Sequence, residues 1–349
     1  MPYCVMLEKG ITYRPGGKLY PCCLWKWQDI PAPTDYEQFK KMREEKREQM
    51  NSSDDYIPEC KQCMDDTEFK GDSFRHHANN TVKGGFWEMN FNNTCNLSCR
   101  MCNPSLSSTW ASILKKERKN FPFAEDYTDH EYMEHVKFDK IEFYHELPQV
   151  RHIKLLGGEP FLMKEVYRML DYVMQTKHSK NIVLEVTTNL TQPFDDYWKK
   201  VVENFKEVNV CGSVDGLGSR YEYIRPGANF QDVSDRAKQI LDLSHSVNGN
   251  LNIRISAVGM TVTASQHHDI KKFWREIGIN DVEIEQCYEP TFMSYRSLHP
   301  TLRDRFNVHP GHELEYDEKE WKQLQLQMAI LDKIHSTDFK TECPELFDL

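Results

Sequence analysis

A chain of 349 residues that is 39% apolar, 28% charged and 12% aromatic has the material for a sizeable core, which excludes wholesale disorder and fibrous repeats. Nowhere do about 18 apolar residues run together, and the opening MPYCVMLEKG lacks the basic and apolar regions of a secretory signal, so a cytoplasmic protein with no membrane partner is expected. The net charge of −10 argues against strong phosphate-backbone binding, and nucleic acid is not an expected partner.

In chain order, Cys4 to Cys22 reads as a hairpin-like segment, and 40–50 (KKMREEKREQM) as a solvated, mixed-charge helix. Strand-like runs follow at 87–91, 152–156, 182–187, 208–214, 252–259 and 282–287. Between them lie segments with helical spacing at 105–119, 163–176, 194–206, 230–245 and 265–277, such as Leu170, Val173 and Met174 on one face. The stretch 120–150 is charged and aromatic without a clear period, and reads as a surface excursion. Residues 311–349 hold 4 Lys and 10 Asp/Glu, yet Trp321, Leu324, Gln325, Met328 and Leu331 give this tail a helical apolar stripe to pack. Strands alternating with helices argue for β/α units around a parallel sheet, and six units make a partial (β/α)6 TIM-like barrel of the α/β class.

The 11 cysteines are the unusual number, because disulfides do not persist in a reducing compartment and clustered thiols there more often hold metal. Cys95-Asn-Leu-Ser-Cys99-Arg-Met-Cys102 is a C-x3-C-x2-C run. Three thiolates on one short loop suit three corners of an iron–sulfur cube and leave the fourth iron open. A structural zinc site wants a fourth ligand nearby, whereas His130 and His135 are remote. The early cysteines form a second group, in which Cys4, Cys22 and the C-x2-C pair Cys60/Cys63 supply four thiolates able to enclose a metal centre. Cys23 adjoins Cys22 and either could ligate; a zinc ribbon is an alternative to iron–sulfur here.

CNLSCRMC after an extended segment resembles the signature of radical S-adenosylmethionine (SAM) enzymes. Further matches follow in order. Gly157-Gly158-Glu159-Pro160 resembles the family's GGEP element beside the methionine amino group, and Thr187-Thr188-Asn189 its T-N strand ending. Ser213-Val-Asp215-Gly216 with Arg225-Pro-Gly227 resembles the S-x-D-G…R-x-G segment of the SPASM/twitch subgroup. These matches cover about residues 86–290, and each sits at a strand exit, where parallel barrels gather their chemistry. The early cysteines, with Gly17 inside a C-x17-C spacer, resemble a twitch domain, placed before the barrel instead of after it.

The resemblance implies a [4Fe–4S] cluster on Cys95, Cys99 and Cys102, SAM on its open iron, and a second, auxiliary [4Fe–4S] cluster on Cys4, Cys22, Cys60 and Cys63. By motif position it makes Gly157, Gly158, Glu159, Asn189, Ser213, Asp215 and Arg225 cofactor-binding residues; Arg225 further suits a carboxylate, because a planar guanidinium binds one with two hydrogen bonds. The Gly-Gly pair is expected to let backbone approach a ligand closely. Reductive cleavage of SAM to a 5′-deoxyadenosyl radical and hydrogen abstraction from a peptide or small polar metabolite are implied, with the auxiliary cluster handling electrons and a flavodoxin or ferredoxin as donor. No catalytic side chain is assigned, although Cys287 at the end of the last strand is a candidate hydrogen donor. The expected division is an auxiliary domain at 1–84, a radical SAM barrel at 85–290 and a helical extension at 291–349. With 1–84 so occupied, neither a leader-recognition nor a cobalamin domain is expected. The alternatives are a nucleic-acid-modifying enzyme of the same superfamily and a non-catalytic iron–sulfur or zinc scaffold.

Overall fold

The computed structural model describes residues 3–25, 32–52, 57–117, 142–247, 249–309 and 314–348. Most of the excursion expected at 120–150 lies outside the described residues. The strands are β1 (Gly10–Arg14), β2 (Lys18–Tyr20), β3 (Gly85–Met89), β4 (Val150–Leu155), β5 (Val183–Thr188), β6 (Glu207–Ser213), β7 (Leu251–Gly259) and β8 (Val282–Gln286). Contacts group the chain into two compact units, one of Met1–Thr94, Asp129–Thr187 and Asp195–Asn209, the other of Cys95–Thr128, Thr188–Phe194 and Val210–Leu349.

The first unit holds the run β2-β1-β3-β4-β5 and the start of β6. β1 and β2 form the expected hairpin, and β1 then pairs parallel with β3, β3 with β4, and β4 with β5. Alternation explains the two faces. Ile11, Trp87, Ile153 and Leu184 stand in register as one apolar row, all fully buried. The next row is Thr12, Glu88, Lys154 and Glu185, whose charges pair across the strands: Lys154 to Glu185 at 3.3 Å, and Glu88 to Arg14 at 3.1 Å. Polar side chains thus line one face of a mostly parallel sheet. Helix Lys164–Gln175 buries Val166, Met169, Leu170 and Val173, the i, i+3, i+4, i+7 stripe. Asp195 caps helix Asp196–Asn204, and its Trp198 stacks on Phe161 with ring centroids 4.1 Å apart. The charged run at 40–50 belongs to helix Tyr36–Ser52, which is anchored by buried Tyr36, Phe39 and Met50.

The second unit holds the rest of β6 with β7 and β8, the latter two parallel. Asn229 caps helix Phe230–Ser246, which buries Val233, Ala237 and Ile240; helix His267–Ile277 buries Ile270 and Trp274. The acidic tail is a core element. In helix Glu318–His335, Leu324, Gln327, Met328 and Leu331 are buried, with Gln327 in the place the sequence spacing gives to Gln325. They share a cluster with Trp110, Tyr223, Ile224, Phe339 and Leu346. The order of strands and helices is that of an α/β fold, consistent with a partial barrel. Helix Gly218–Ile224 is an addition to the sequence expectation; it buries Arg220, Tyr221, Tyr223 and Ile224, so tertiary packing decides it.

Candidate functional site

The loop Cys95–Cys102 is held by the first turn of helix Ser108–Glu117. Ser108 Oγ accepts from the Cys95 amide and, with Thr109 Oγ1, lies within hydrogen-bond reach of the Cys95 carbonyl. Ser107 Oγ donates to the Leu97 carbonyl at 2.6 Å, and Trp110 Nε1 to the Cys99 carbonyl at 2.7 Å. The Cys102 amide closes back on the Cys99 carbonyl at 2.9 Å, while the Arg100 amide donates to Ile224. Helix-start side chains thereby satisfy loop backbone groups that lack partners of their own.

The cysteines of the loop influence one another electrostatically. Burial pushes Cys99 up to about 12, a shift that Arg225 opposes and Cys102 and Cys95 reinforce. Burial likewise raises Cys102 to about 11. Such thiols stay protonated at neutral pH until a cationic centre takes them as thiolates. Two donors point at the sulfurs: Arg225 Nη1 lies 3.7 Å from Cys99 Sγ, and Asn189 Nδ2 3.9 Å from Cys95 Sγ. Three cysteines on one loop, Cys99 buried and Cys95 and Cys102 half-buried, with N–H donors toward sulfur, are the donor types that an iron–sulfur cluster takes.

Asp215, beyond the end of β6, is fully buried and accepts from the Val258 amide and from Arg225 Nε, both at 2.8 Å. Burial works against the Arg225 cation, but Asp215 and Cys99 more than offset it and its pKa lies above the usual value. Arg225 is therefore neither a surface ion pair nor an idle fork; the carboxylate it holds is the chain's own Asp215. Asn189 Oδ1 accepts from the Thr191 amide at 2.9 Å, which fixes the orientation of its Nδ2. Ser213, the last residue of β6, is half-buried.

In the first unit, the Gly-Gly pair makes its close approach to the chain itself. A Cβ on Gly158 would sit 2.2 Å from the Thr94 carbonyl oxygen; on Gly157, whose φ is +127°, it would sit 2.4 Å from Asn90 Oδ1. The Glu159 amide donates to that Thr94 carbonyl at 2.7 Å. Fully buried, Glu159 turns Oε1 back to accept from the Phe161 amide at 3.0 Å. The turn after β4 is thus locked to the residue that precedes Cys95.

The early cysteines divide cleanly. Cys4, Cys22 and Cys60 pack against Leu7, Trp25, Met50 and Ile57, and Cys63 lies one turn beyond Cys60 in helix Lys61–Lys70. Burial pushes Cys60 up to about 12, and Cys4 and Cys63 reinforce the shift. Burial also raises Cys22, with Cys23, Cys4 and Cys60 adding to it, and Cys63, where Cys4 again contributes. Cys23 has different company: after burial, which takes it up to about 11, its electrostatic neighbours are Glu88, Arg14 and Lys154 of the polar row. The structure brings Cys22, rather than Cys23, to Cys4 and Cys60. All 11 thiols are free of disulfides.

Cys287 is buried among Met260, Met293 and Tyr295, and its sulfur lies 3.4 Å from the Glu289 carbonyl oxygen. A cavity of about 350 Å³ adjoins Cys102, with Met101, Trp110, Glu289, Phe292 and Gln327 in its wall. Sequence reasoning passed over Arg100, whose side chain is fully buried, and Trp110. A charged residue inside a cysteine loop was the available signal for the first, and the Ser-Ser-Thr run at the start of the helix for the loop's supports.

Residues 89–262 match the model of the radical SAM superfamily. The chain carries a radical SAM domain. The matched span contains Cys95–Cys102, Gly157–Glu159, Asn189, Ser213, Asp215 and Arg225; the early cysteines precede it. No curated protein matches the chain. Among solved structures, it is similar to native anSMEcpe with bound AdoMet and Cp18Cys peptide, at 18% identity over 63% of this chain and 56% of that one, with a TM-score of 0.43. It is also similar to Streptococcus suis SuiB bound to S-adenosylmethionine, at 15% identity over 90% of this chain and 66% of that one, TM-score 0.43. SuiB bound to precursor peptide SuiA gives 14% identity over 93% and 60%, TM-score 0.38. The chain spans 56 to 62% of the length of the anSMEcpe chains it matches. Among the described residues, no helix is long and apolar enough to cross a membrane.

Proposed function

We propose that the protein cleaves SAM reductively and abstracts hydrogen from a peptide or small polar metabolite in the cytoplasm. When bound, a [4Fe–4S] cluster on Cys95, Cys99 and Cys102 supplies the electron that splits SAM into methionine and a 5′-deoxyadenosyl radical. The observation that carries this reading is the placement of those three cysteines on one loop inside the matched domain, Cys99 buried and the other two half-buried, with the Arg225 and Asn189 N–H groups within 4 Å of the Cys99 and Cys95 sulfurs. Asp215 holds Arg225 in place, so the cation can balance thiolate charge. Gly157 and Gly158 let the following segment close on Thr94, which supports Glu159 and the backbone around it as the part that receives the methionine end of SAM. Ser213 and Asn189 stand at strand exits, where parallel barrels bind their ligands.

In the same reading, residues 1–84 hold an auxiliary cluster on Cys4, Cys22, Cys60 and Cys63, residues 85–290 carry the radical chemistry, and 291–349 form a helical extension. The packing of Cys22 beside Cys4 and Cys60 supports that ligand set. A cluster closed by four thiolates has no site for substrate, so its role is to move electrons, with a flavodoxin or ferredoxin as the external donor. Anaerobic reconstitution tests all of this: about 8 iron per chain is expected for two clusters, against about 4 for one. Cys99→Ala should abolish 5′-deoxyadenosine, while Cys60→Ala should spare SAM cleavage and stop substrate turnover. A chain that takes up zinc but no iron under these conditions is a scaffold, and the proposal fails. Deuterium transfer into 5′-deoxyadenosine from labelled candidates, read by mass spectrometry, identifies the substrate.

A further inference from the structure

Arg100 lies between Cys99 and Cys102, and its side chain has no solvent exposure. Its guanidinium carbon stands 3.7 Å above the Tyr223 ring, and Nε donates to the Tyr223 carbonyl. The remaining contacts come from the C-terminal segment. Nη2 donates to Asp332 Oδ1 at 3.0 Å and to Thr337 Oγ1 at 2.7 Å, and Nη1 points at Met328 Sδ, 3.8 Å away. Asp332 is fixed in turn: Thr337 Oγ1 donates to Oδ1 and the Phe339 amide to Oδ2, both at 2.7 Å. The ion pair closes over 232 residues of sequence.

This arrangement is costly as packing. A buried guanidinium must be desolvated, and an apolar side chain of similar volume would fill the space at less expense. What an apolar residue would not supply is directional restraint on the Cys99–Cys102 turn and a balanced charge beside it. The turn is held from its backbone side by Arg100 N to Ile224 O at 2.9 Å and Cys102 N to Cys99 O at 2.9 Å. The side chain of the same residue carries the restraint out to helix Glu318–His335.

We propose that Asp332 is a positioning residue for the cysteine loop: acting through Arg100, it fixes the Cys99–Cys102 turn and neutralises the cation beside it. The C-terminal segment is then a working part of the iron site. The inference rests on the reading that Cys95, Cys99 and Cys102 hold a cluster. Its electrostatic consequence has a definite sign. Reduction adds negative charge to the cluster, and an unbalanced Arg100 cation nearby favours the reduced state. Losing the Asp332 charge should therefore raise the reduction potential, and losing both charges should bring it back.

The test uses the full chain, reconstituted anaerobically as wild type, D332N, D332E and the double variant R100Q/D332N. Iron content, the electron paramagnetic resonance signal that changes when SAM is added, and the potential of that signal are measured for each. D332N is expected to bind iron but to show a higher potential and a broadened signal. D332E should lie close to wild type, and the double variant should recover most of the potential while keeping the broadened signal. If D332N keeps the wild-type potential and line shape, however far its melting temperature falls, Asp332 is a packing residue only and the inference is overturned. Should D332N fail to fold, T337V removes the hydroxyl that accepts from Arg100 and donates to Asp332 while the two charges remain; a broadened signal then supports the positioning role and an unchanged one overturns it. Absence of any SAM-responsive signal in wild type is a separate outcome, which sinks the cluster reading itself.

Discussion

At the residue scale, the pair Asp215–Arg225 shows how a buried ion pair becomes part of a thiol site. Asp215 has no exposed surface, and Arg225 serves two anions at once, one carboxylate and one prospective thiolate. Replacing Arg225 by Met leaves a buried carboxylate without a cation, and about 3–5 kcal/mol of stability should be lost. Arg225→Lys should retain part of that stability, because the charge survives, but lose the second contact, because an ammonium cannot fork. Denaturant titration of the apo chain separates these two outcomes, and equal stability of both variants with wild type would sink the assignment. The adjacent cysteines invite a second comparison. Cys22→Ser should remove the iron of the auxiliary site, about 4 per chain, whereas Cys23→Ser should leave it in place. The reverse pattern of iron content would assign the ligand to Cys23. The glycine spacing of Gly17 to Cys22 favours Cys22, without excluding its neighbour. The packing decides between them: Cys22 lies with Cys4 and Cys60 against Leu7 and Trp25, whereas the electrostatic neighbours of Cys23 are Glu88, Arg14 and Lys154.

At the element scale, what was legible in the sequence follows from periodicity, and what was not follows from distance. The strands β3 to β8 lie within a few residues of the expected runs, because alternation and β-branched content are local properties. The Gly-Gly turn was also legible as a turn, yet its partner was not. Thr94 precedes it by 64 positions, and no local pattern encodes the contact of a Gly158 Cβ with that carbonyl. Arg100 and Asp332 are the extreme case, and helix Gly218–Ile224 is the short, packing-dependent one. The glycine contact gives a direct prediction. Gly158→Ala places a methyl 2.2 Å from a backbone oxygen that has no flexible end to swing aside. The turn after β4 must then move off Thr94, at a cost of about 1–3 kcal/mol. Glu159 moves with it, so the affinity for SAM should fall by more than the loss of stability alone explains. Equilibrium binding of SAM to the reconstituted variant, measured below its melting temperature, checks this; unchanged affinity would remove the turn from the SAM site.

At the scale of the whole chain, the net charge of −10 looks like a surplus gathered in an acidic tail, but two of the tail's acids are spoken for. Asp332 closes on Arg100, and Glu345 receives both Nη atoms of Arg220 at about 3 Å as well as a hydrogen bond from Ser265 Oγ. The composition counts these acids as solubilising charge, whereas the structure uses them as anchors. Their effect on stability carries a pH signature. Burial works against the Glu345 carboxylate, but Arg220 and Ser265 more than offset it, and its pKa in the folded chain is lowered. In the unfolded chain a glutamate titrates near ~4.3. A depressed folded value means that the stabilisation is fully present above the unfolded pKa and is lost as pH falls through the folded one. Glu345→Gln should therefore destabilise the chain by about 2 kcal/mol at pH 7, the worth of hydrogen bonds to a charged group in a half-buried setting. The gap between variant and wild type should hold down to about pH 5, narrow as pH falls below ~4.3, and close only once pH has passed below the lowered folded value, where the wild-type residue is protonated in both states. Denaturant midpoints of the two apo chains across that range read the difference directly, and other carboxylates cancel because both chains share them. A gap that does not narrow at all as pH falls from about 5 through the acid range would mean that Glu345 contributes through shape, and that the bidentate pair with Arg220 adds no charge-dependent stability to the tail.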